Sequence, residues 1–170
     1  YWDLRVLFSG LDDKVFDQSP GEEDWSLRDI LYHILEVEWA FYGVVRYAFQ
    51  LAGTKPEWQL GLLPRDFMNS HFEEEGHFHE SVFNGDFRTM FGFYDQLHTR
   101  ILEDLKDLPD AKLAEMVAFW EPQPMPARFR LIRFESHIRQ HSIQAQKNLD
   151  QFGIKSSEIK QLLRAAAQSF

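Results

Sequence analysis

Two histidines have a spacing that suits a shared metal ion. His137 and His141 are four residues apart, and in a helix this spacing places both imidazoles on one face, with Cβ atoms about 5–6 Å apart. Both rings can then reach a single ion through metal–nitrogen bonds of about 2.0–2.1 Å. The alternative interpretation is a pair of solvated or hydrogen-bonded histidines on an amphipathic helix.

His33 is the candidate third ligand. It lies at the edge of the apolar face of another predicted helix, where a histidine can also be a core-edge residue with a hydrogen-bond partner. In a helical bundle, one ligand from one helix and an i, i+4 pair from another make a three-point site. Three neutral imidazoles with an open fourth position are typical of catalytic zinc, and nickel or iron also fits.

Four histidines remain outside this set. His98 lies on the apolar face of a third predicted helix and is interpreted as a satisfied core histidine, with a role at the metal as the alternative. His71, His77 and His79 fall in a long irregular stretch. They are interpreted as surface residues, although His77 and His79 could reach a metal or substrate from a lid.

Two further side chains are candidate catalytic groups. Glu38 falls near the apolar face of its helix, and a buried carboxylate needs a partner. That partner is the metal site or an arginine, Arg130 or Arg133, and both alternatives stay open. Gln144 follows His141 by almost one turn, from where its amide can hydrogen-bond a metal-bound group.

The composition narrows the class of protein. The chain has 170 residues, no cysteine and a formal net charge of −9, and its length fits a single domain, residues 1–170. Without cysteine there is no disulfide, thiolate metal site or cysteine nucleophile. The negative charge argues against nucleic acid. Without a signal peptide or a run of 18 apolar residues, we expect a cytoplasmic protein and no membrane partner.

The elements that must position these residues are predicted to be helices. Val, Ile and Thr are few, and no alternating run with hairpin turns is present. The fold class is therefore all-α: a four-helix bundle of the up-down-down-up type, with a long crossover between helices 2 and 3 and a short C-terminal helix. The predicted helices are Trp2 to Asp17, one from the N-cap Ser26 to a stop at Gly53, Phe87 to Leu105 after the cap Asp86, Ala127 to Phe152 before Gly153, and a last helix ending near Gln168. Shorter helices are predicted near Arg65 to Glu75 and Pro109 to Val117.

Two segments that carry these histidines resemble the DinB/YfiT-like superfamily of four-helix metalloproteins. The first is Trp25-Ser26-Leu27-Arg28-Asp29-Ile30-Leu31-Tyr32-His33-Ile34, which is similar to the family's Trp-Ser opening of the second helix with a metal-binding His seven residues after the Ser. The second is His137-Ile138-Arg139-Gln140-His141-Ser142-Ile143-Gln144, which resembles the family's His-x-x-x-His pair followed by Gln. The resemblance covers about Leu4 to Phe152. Ile143 departs from it, because many members carry Gly there.

The resemblance implies one divalent metal, zinc, nickel or iron, held by His33, His137 and His141. It also implies a small-molecule substrate and a homodimer. Members with known activities are S-transferases for low-molecular-weight thiols such as bacillithiol and a mycothiol-dependent isomerase, and others look like hydrolases. A chain without cysteine would need an external thiol.

We therefore expect a metal-dependent transferase or hydrolase that activates a thiol or water. The alternative is a non-enzymatic, dimeric helical protein that binds a metal or small ligand. Ile132 and Ile143 lie opposite the buried stripe of their helix, which is in line with dimerisation.

Overall fold

The computed structural model describes residues 1–50, 82–117 and 123–169. In these ranges the chain forms seven helices and one two-stranded ladder, so the all-α class is confirmed. The elements are α1 (Trp2–Phe8), α2 (Asp13–Phe16), α3 (Leu27–Gln50), α4 (Phe87–Leu105), α5 (Asp110–Leu113), β1 (Met116–Val117), β2 (Met125–Pro126), α6 (Ala127–Gln151) and α7 (Glu158–Ala167). The predicted helix from Arg65 to Glu75, with His71, His77 and His79, lies outside the described residues.

The first predicted helix is wrong in its length, because the chain breaks it into α1 and α2. Gly10 adopts a φ of 69°, a left-handed conformation that ends regular helix. Asp12 then caps α2, and its side chain accepts a hydrogen bond from the Lys14 amide at 2.8 Å. Leu4 and Leu7 form the buried side of α1, as their helical spacing predicts, whereas the buried residue of α2 is Phe16.

Helix α3 begins where the sequence predicts. The Asp29 amide donates to the Ser26 hydroxyl at 3.1 Å, and the Ser26 amide donates back to the Asp29 carboxylate at 3.0 Å. This reciprocal pair satisfies two amides that the first turn of a helix leaves without partners. It anchors the N-terminal end of the helix that carries His33.

Both other long helices also have their predicted ends. Asp86 caps α4 by accepting a hydrogen bond from the Thr89 amide at 2.7 Å. Helix α6 ends at Gln151. Gly153 follows with a φ of 72°, and the Ile154 amide donates back to the Leu149 carbonyl. This closure satisfies carbonyls that the last turn would otherwise leave open.

The segment between α4 and α6 contains a feature that the sequence does not predict. Helix α5 is shorter than the predicted helix from Pro109 to Val117, because the chain becomes extended at β1. There it pairs antiparallel with β2, with Met116 opposite Pro126 and Val117 opposite Met125. A ladder of two residues has no alternating pattern long enough to be recognised.

The chain divides into two compact units. Tyr1–Ile34 and Ser136–Phe170 form the first, and Leu35–Glu135 forms the second. In the first unit α7 packs on α1, and Arg164 Nε donates to the Asp3 carboxylate at 2.6 Å. The second unit has a core rich in aromatic and aliphatic side chains, which includes Phe41, Tyr42, Val44, Met90, Tyr94 and Leu97. The organisation as a single domain stays a prediction.

None of the helices in the described ranges is both long and apolar enough to cross a membrane.

Candidate metal centre

Three histidines of the first unit meet at one point. His33 lies in the second turn of α3, and His137 and His141 lie one turn apart on α6. One nitrogen from each of the three rings forms a group whose members are all within 4.8 Å of one another. His137 and His141 are buried and His33 is half-buried. The structure therefore brings together all three of the histidines predicted as metal ligands.

The spacing of these nitrogens fits a single metal ion. His137 Nε2 lies 3.2 Å from His33 Nε2 and 3.1 Å from His141 Nε2. A tetrahedral ion with metal–nitrogen bonds of about 2.0–2.1 Å would hold its ligand nitrogens about 3.3 Å apart. Both distances agree with this value to about 0.2 Å, and the third pair of ring nitrogens lies within 4.8 Å, so the cluster has the size of a three-histidine metal site.

The Nδ1 atom of His141 faces away from the place where the three Nε2 atoms meet. It lies 2.9 Å from the Gln144 side-chain oxygen, an acceptor that favours the tautomer with the proton on Nδ1. In the neutral ring Nε2 then has a free lone pair, which is the form that binds metals. The adjacent lone pairs of neighbouring imidazoles repel unless a cation or a shared proton lies between them. The cluster could therefore hold a divalent metal.

Burial also favours the neutral form of the rings. Desolvation, followed by the nearby charge of His141, lowers the pKa of His33. Desolvation lowers the pKa of His141 as well, although its hydrogen bond with Gln144 opposes the effect. Because a metal competes with protons for the same lone pairs, a lowered pKa keeps the ligands available near neutral pH.

One side chain at the centre, Trp25, opens the Trp-Ser motif quoted above but was not predicted as a site residue. The Trp25 ring lies parallel to the His141 ring within 9°, with centroids 6.2 Å apart, and meets His33 edge-on at 4.9 Å. The available signal was its place directly before Ser26, which caps the helix carrying His33. Sequence alone does not tell which way a residue before a cap turns its ring.

Glu38 belongs to the second unit. It is 1% exposed, and its carboxylate accepts a hydrogen bond from the Tyr94 hydroxyl at 2.8 Å. Desolvation raises the pKa of Glu38 to about 7, although the Tyr94 hydrogen bond acts to lower it. Within the described part of the chain the partner of Glu38 is therefore a tyrosine, and the ion pair considered with Arg130 or Arg133 is absent. Arg130 is buried with its guanidinium 4.9 Å from the centre of the Phe41 ring.

His98 also lies in the second unit, on α4. It is half-buried, and its ring centre lies 6.3 Å from that of Tyr94. Desolvation lowers the pKa of His98 to about 4. These surroundings agree with the interpretation of His98 as a core histidine, and the lowered pKa keeps its ring neutral near pH 7.

The fold and the site define a class: an all-α protein with a largely buried three-histidine cluster that could bind a metal. The chain belongs to the DinB superfamily, whose sequence model matches residues 2–145. This match confirms the resemblance predicted from the sequence, and it includes all three histidines and Gln144. The helices are consistent with the helical bundle fold of that superfamily. Neither a curated protein nor a solved structure matches the chain.

Proposed function

We propose that this protein is a metal-dependent enzyme that acts on a small molecule at the cluster of His33, His137 and His141. The observation that carries the proposal is the convergence of three Nε2 atoms, with neighbouring distances of 3.1 and 3.2 Å. Three neutral ligands leave the full charge of a divalent cation in place and leave one tetrahedral position open. Zinc, nickel and iron all accept imidazole ligands.

When bound, a divalent cation lowers the pKa of a thiol or water in the open position and so supplies a nucleophile at neutral pH. The chain has no cysteine, so a thiol would come from an external low-molecular-weight cofactor. The two reactions that follow are transfer of that thiol to an electrophile, and hydrolysis by water.

The chain's own residues have separate tasks in this proposal. The three histidines hold the metal. Gln144 acts through His141, because its 2.9 Å hydrogen bond keeps the proton on Nδ1 and orients the ring. Its predicted hydrogen bond to a metal-bound group stays a prediction. Glu38 remains a candidate acid–base group because a pKa of about 7 suits proton transfer at neutral pH.

Elemental analysis tests the metal site. Protein purified without a His tag, stripped with a chelator and reloaded with zinc, nickel or iron should hold about one ion per chain. His33→Ala, His137→Ala and His141→Ala should each lose that ion, because two imidazoles bind far more weakly than three. His98→Ala is the matched control and should keep it. Absence of stoichiometric metal in the unmodified chain would refute the proposal.

A substrate screen separates the two reactions. The reloaded protein is offered electrophiles with and without a low-molecular-weight thiol, and esters and amides without thiol. Thiol-dependent turnover that disappears on chelation supports the transferase, and thiol-independent turnover supports the hydrolase. Turnover that survives in His137→Ala would exclude this centre as its source.

A second candidate function is a homodimer that binds a metal or small ligand without turnover. It is favoured by the apolar face of α7, where Ile159, Leu162 and Leu163 are 70%, 65% and 53% exposed. The polar face of α7 packs inward instead, since Lys160 donates to the Ser9 carbonyl and Arg164 binds Asp3. A surface helix normally buries its apolar face, and an exposed apolar stripe often marks an interface.

Light scattering after size exclusion tests the homodimer. We expect a dimer from the unmodified chain, and a monomer when Leu162 and Leu163 are both replaced by Glu. Gln161→Glu adds a charge on the same helix away from the stripe and should stay dimeric. A monomeric unmodified chain would contradict the homodimer, and metal-dependent turnover would contradict a purely binding role.

A further inference from the structure

Trp25 lies against two of the three candidate ligands. Its ring is stacked with the His141 ring, with an interplanar angle of 9°, and its centroid is 4.9 Å from that of His33. The tryptophan therefore borders two of the three side chains that would hold the metal.

The backbone around Trp25 is held in place. Its carbonyl accepts a hydrogen bond from the Asn148 side-chain amide at 2.7 Å, and Asn148 is itself buried. The next residue is Ser26, whose amide and hydroxyl both bind the Asp29 carboxylate, at 3.0 and 2.6 Å. The backbone that carries the ring is thus held in place before a ligand binds, which reduces the entropy lost on binding.

A large part of this ring still faces solvent. Trp25 is 41% exposed, whereas Trp39 in the core of the second unit is 4% exposed. The neighbouring His33 is also only half-buried. An aromatic surface that is fixed, exposed and adjacent to a metal position can pack against the apolar part of a ligand.

We infer that Trp25 is a specificity-determining wall of this centre, so that the site prefers ligands in which a flat aromatic group follows directly after an anionic donor. The inference rests on the proposed metal function. The metal attracts the anionic donor, and the exposed indole covers the attached ring. A donor that carries only a methyl group lacks this second contact.

Two hydroxamates with the same donor atoms test the inference. Benzohydroxamate and acetohydroxamate are titrated into the zinc-loaded protein by calorimetry. An aromatic contact of ordinary strength predicts that benzohydroxamate binds about tenfold more tightly. Trp25→Ala should reduce this ratio to about twofold or less and leave the affinity for acetohydroxamate nearly unchanged, whereas Trp25→Phe should keep most of the preference.

Trp2→Ala is the matched control, because Trp2 is also exposed, at 64%, but lies on α1. It should leave the ratio unchanged. If Trp25→Ala fails to fold by circular dichroism, Trp25→Leu replaces it with the same expected loss, because leucine keeps apolar volume without an aromatic face.

A ratio that is equal in the unmodified protein and in the folded Trp25 variants would overturn the inference while leaving the metal site intact. A protein that loads no zinc, or binds neither hydroxamate when loaded, would refute the proposed function and this inference with it.

Discussion

Replacement of Glu38 by glutamine tests whether this buried carboxyl is neutral in the folded protein. Its pKa rises from 4.5 to about 7, chiefly through burial. Between these two values the folded state keeps a proton that the unfolded state has released. Stability therefore falls as the pH rises from about 4.5 to about 7, and the effect levels off above that range.

The pKa difference sets the size of the effect. Linkage predicts that ionisation of Glu38 lowers the free energy of unfolding by about 2 kcal/mol as the pH rises from about 5.5 to about 8.5. Glutamine has no charge to desolvate and can still accept the hydrogen bond from Tyr94. Relative to the unmodified protein, Glu38→Gln should therefore gain about this amount of stability as the pH rises from about 5.5 to about 8.5.

Urea unfolding followed by circular dichroism measures this difference, with a chelator present to remove any contribution from metal. The quantity of interest is the gap between the two proteins at each pH, because titration of the histidines is common to both and cancels. Glu103→Gln, at an exposed position of α4, controls for the loss of one carboxylate. Parallel stability curves for the unmodified protein and Glu38→Gln would refute the reasoning.

Three further changes test the site and the helix ends. Gln144→Leu removes the acceptor at His141 Nδ1 and should weaken zinc binding about 10- to 100-fold, measured by competition with a chromophoric chelator; unchanged affinity would show that the ring needs no such partner. Gly153→Ala places a side chain at a φ of 72° and should lower the free energy of unfolding in urea by about 1 kcal/mol. Gly92→Ala, inside α4, should raise the free energy of unfolding by about 0.5–1 kcal/mol, because alanine favours helix more than glycine does. Apart from the neighbouring residues and the helix's own backbone, no described atom lies within 4 Å of either added Cβ. If both substitutions lowered the stability, the effects could not come from backbone conformation alone. Asp86→Ala removes the cap of α4 and should lower the free energy of unfolding by about 1 kcal/mol. Asp86→Asn is the conservative variant and should keep this stability, because asparagine can also cap a helix.

The helix ends were predicted well where the signal is carried by neighbouring residues. Ser26 with Asp29, Asp86 and Gly153 all act within one turn of the chain, so their roles can be inferred without the rest of the protein. The break at Gly10 was missed because the apolar spacing continues across it. A periodic pattern can continue across an interruption, so it does not locate the break.

Only some residues of the candidate site could be predicted, again because a local sequence signal reaches no further than about one turn. The pair His137 and His141 follows from helical geometry alone. His33 could be assigned only through the expected bundle and the family resemblance, since 104 residues separate it from His137. The partner of Glu38 was not among the predicted alternatives, because tyrosine at position 94 gave no sign that its hydroxyl faced a carboxylate.

By itself, the sequence determined that the protein is helical, that a thiolate site is excluded, and that two imidazoles share one helix face. These properties depend on composition and on contacts within a few residues. Only the tertiary structure decided that His33 completes the cluster, that Trp25 lies along its side and that Glu38 is buried against Tyr94. Such contacts join residues far apart in the chain, and they form only after several apolar faces have packed together and fixed the rotation of each helix.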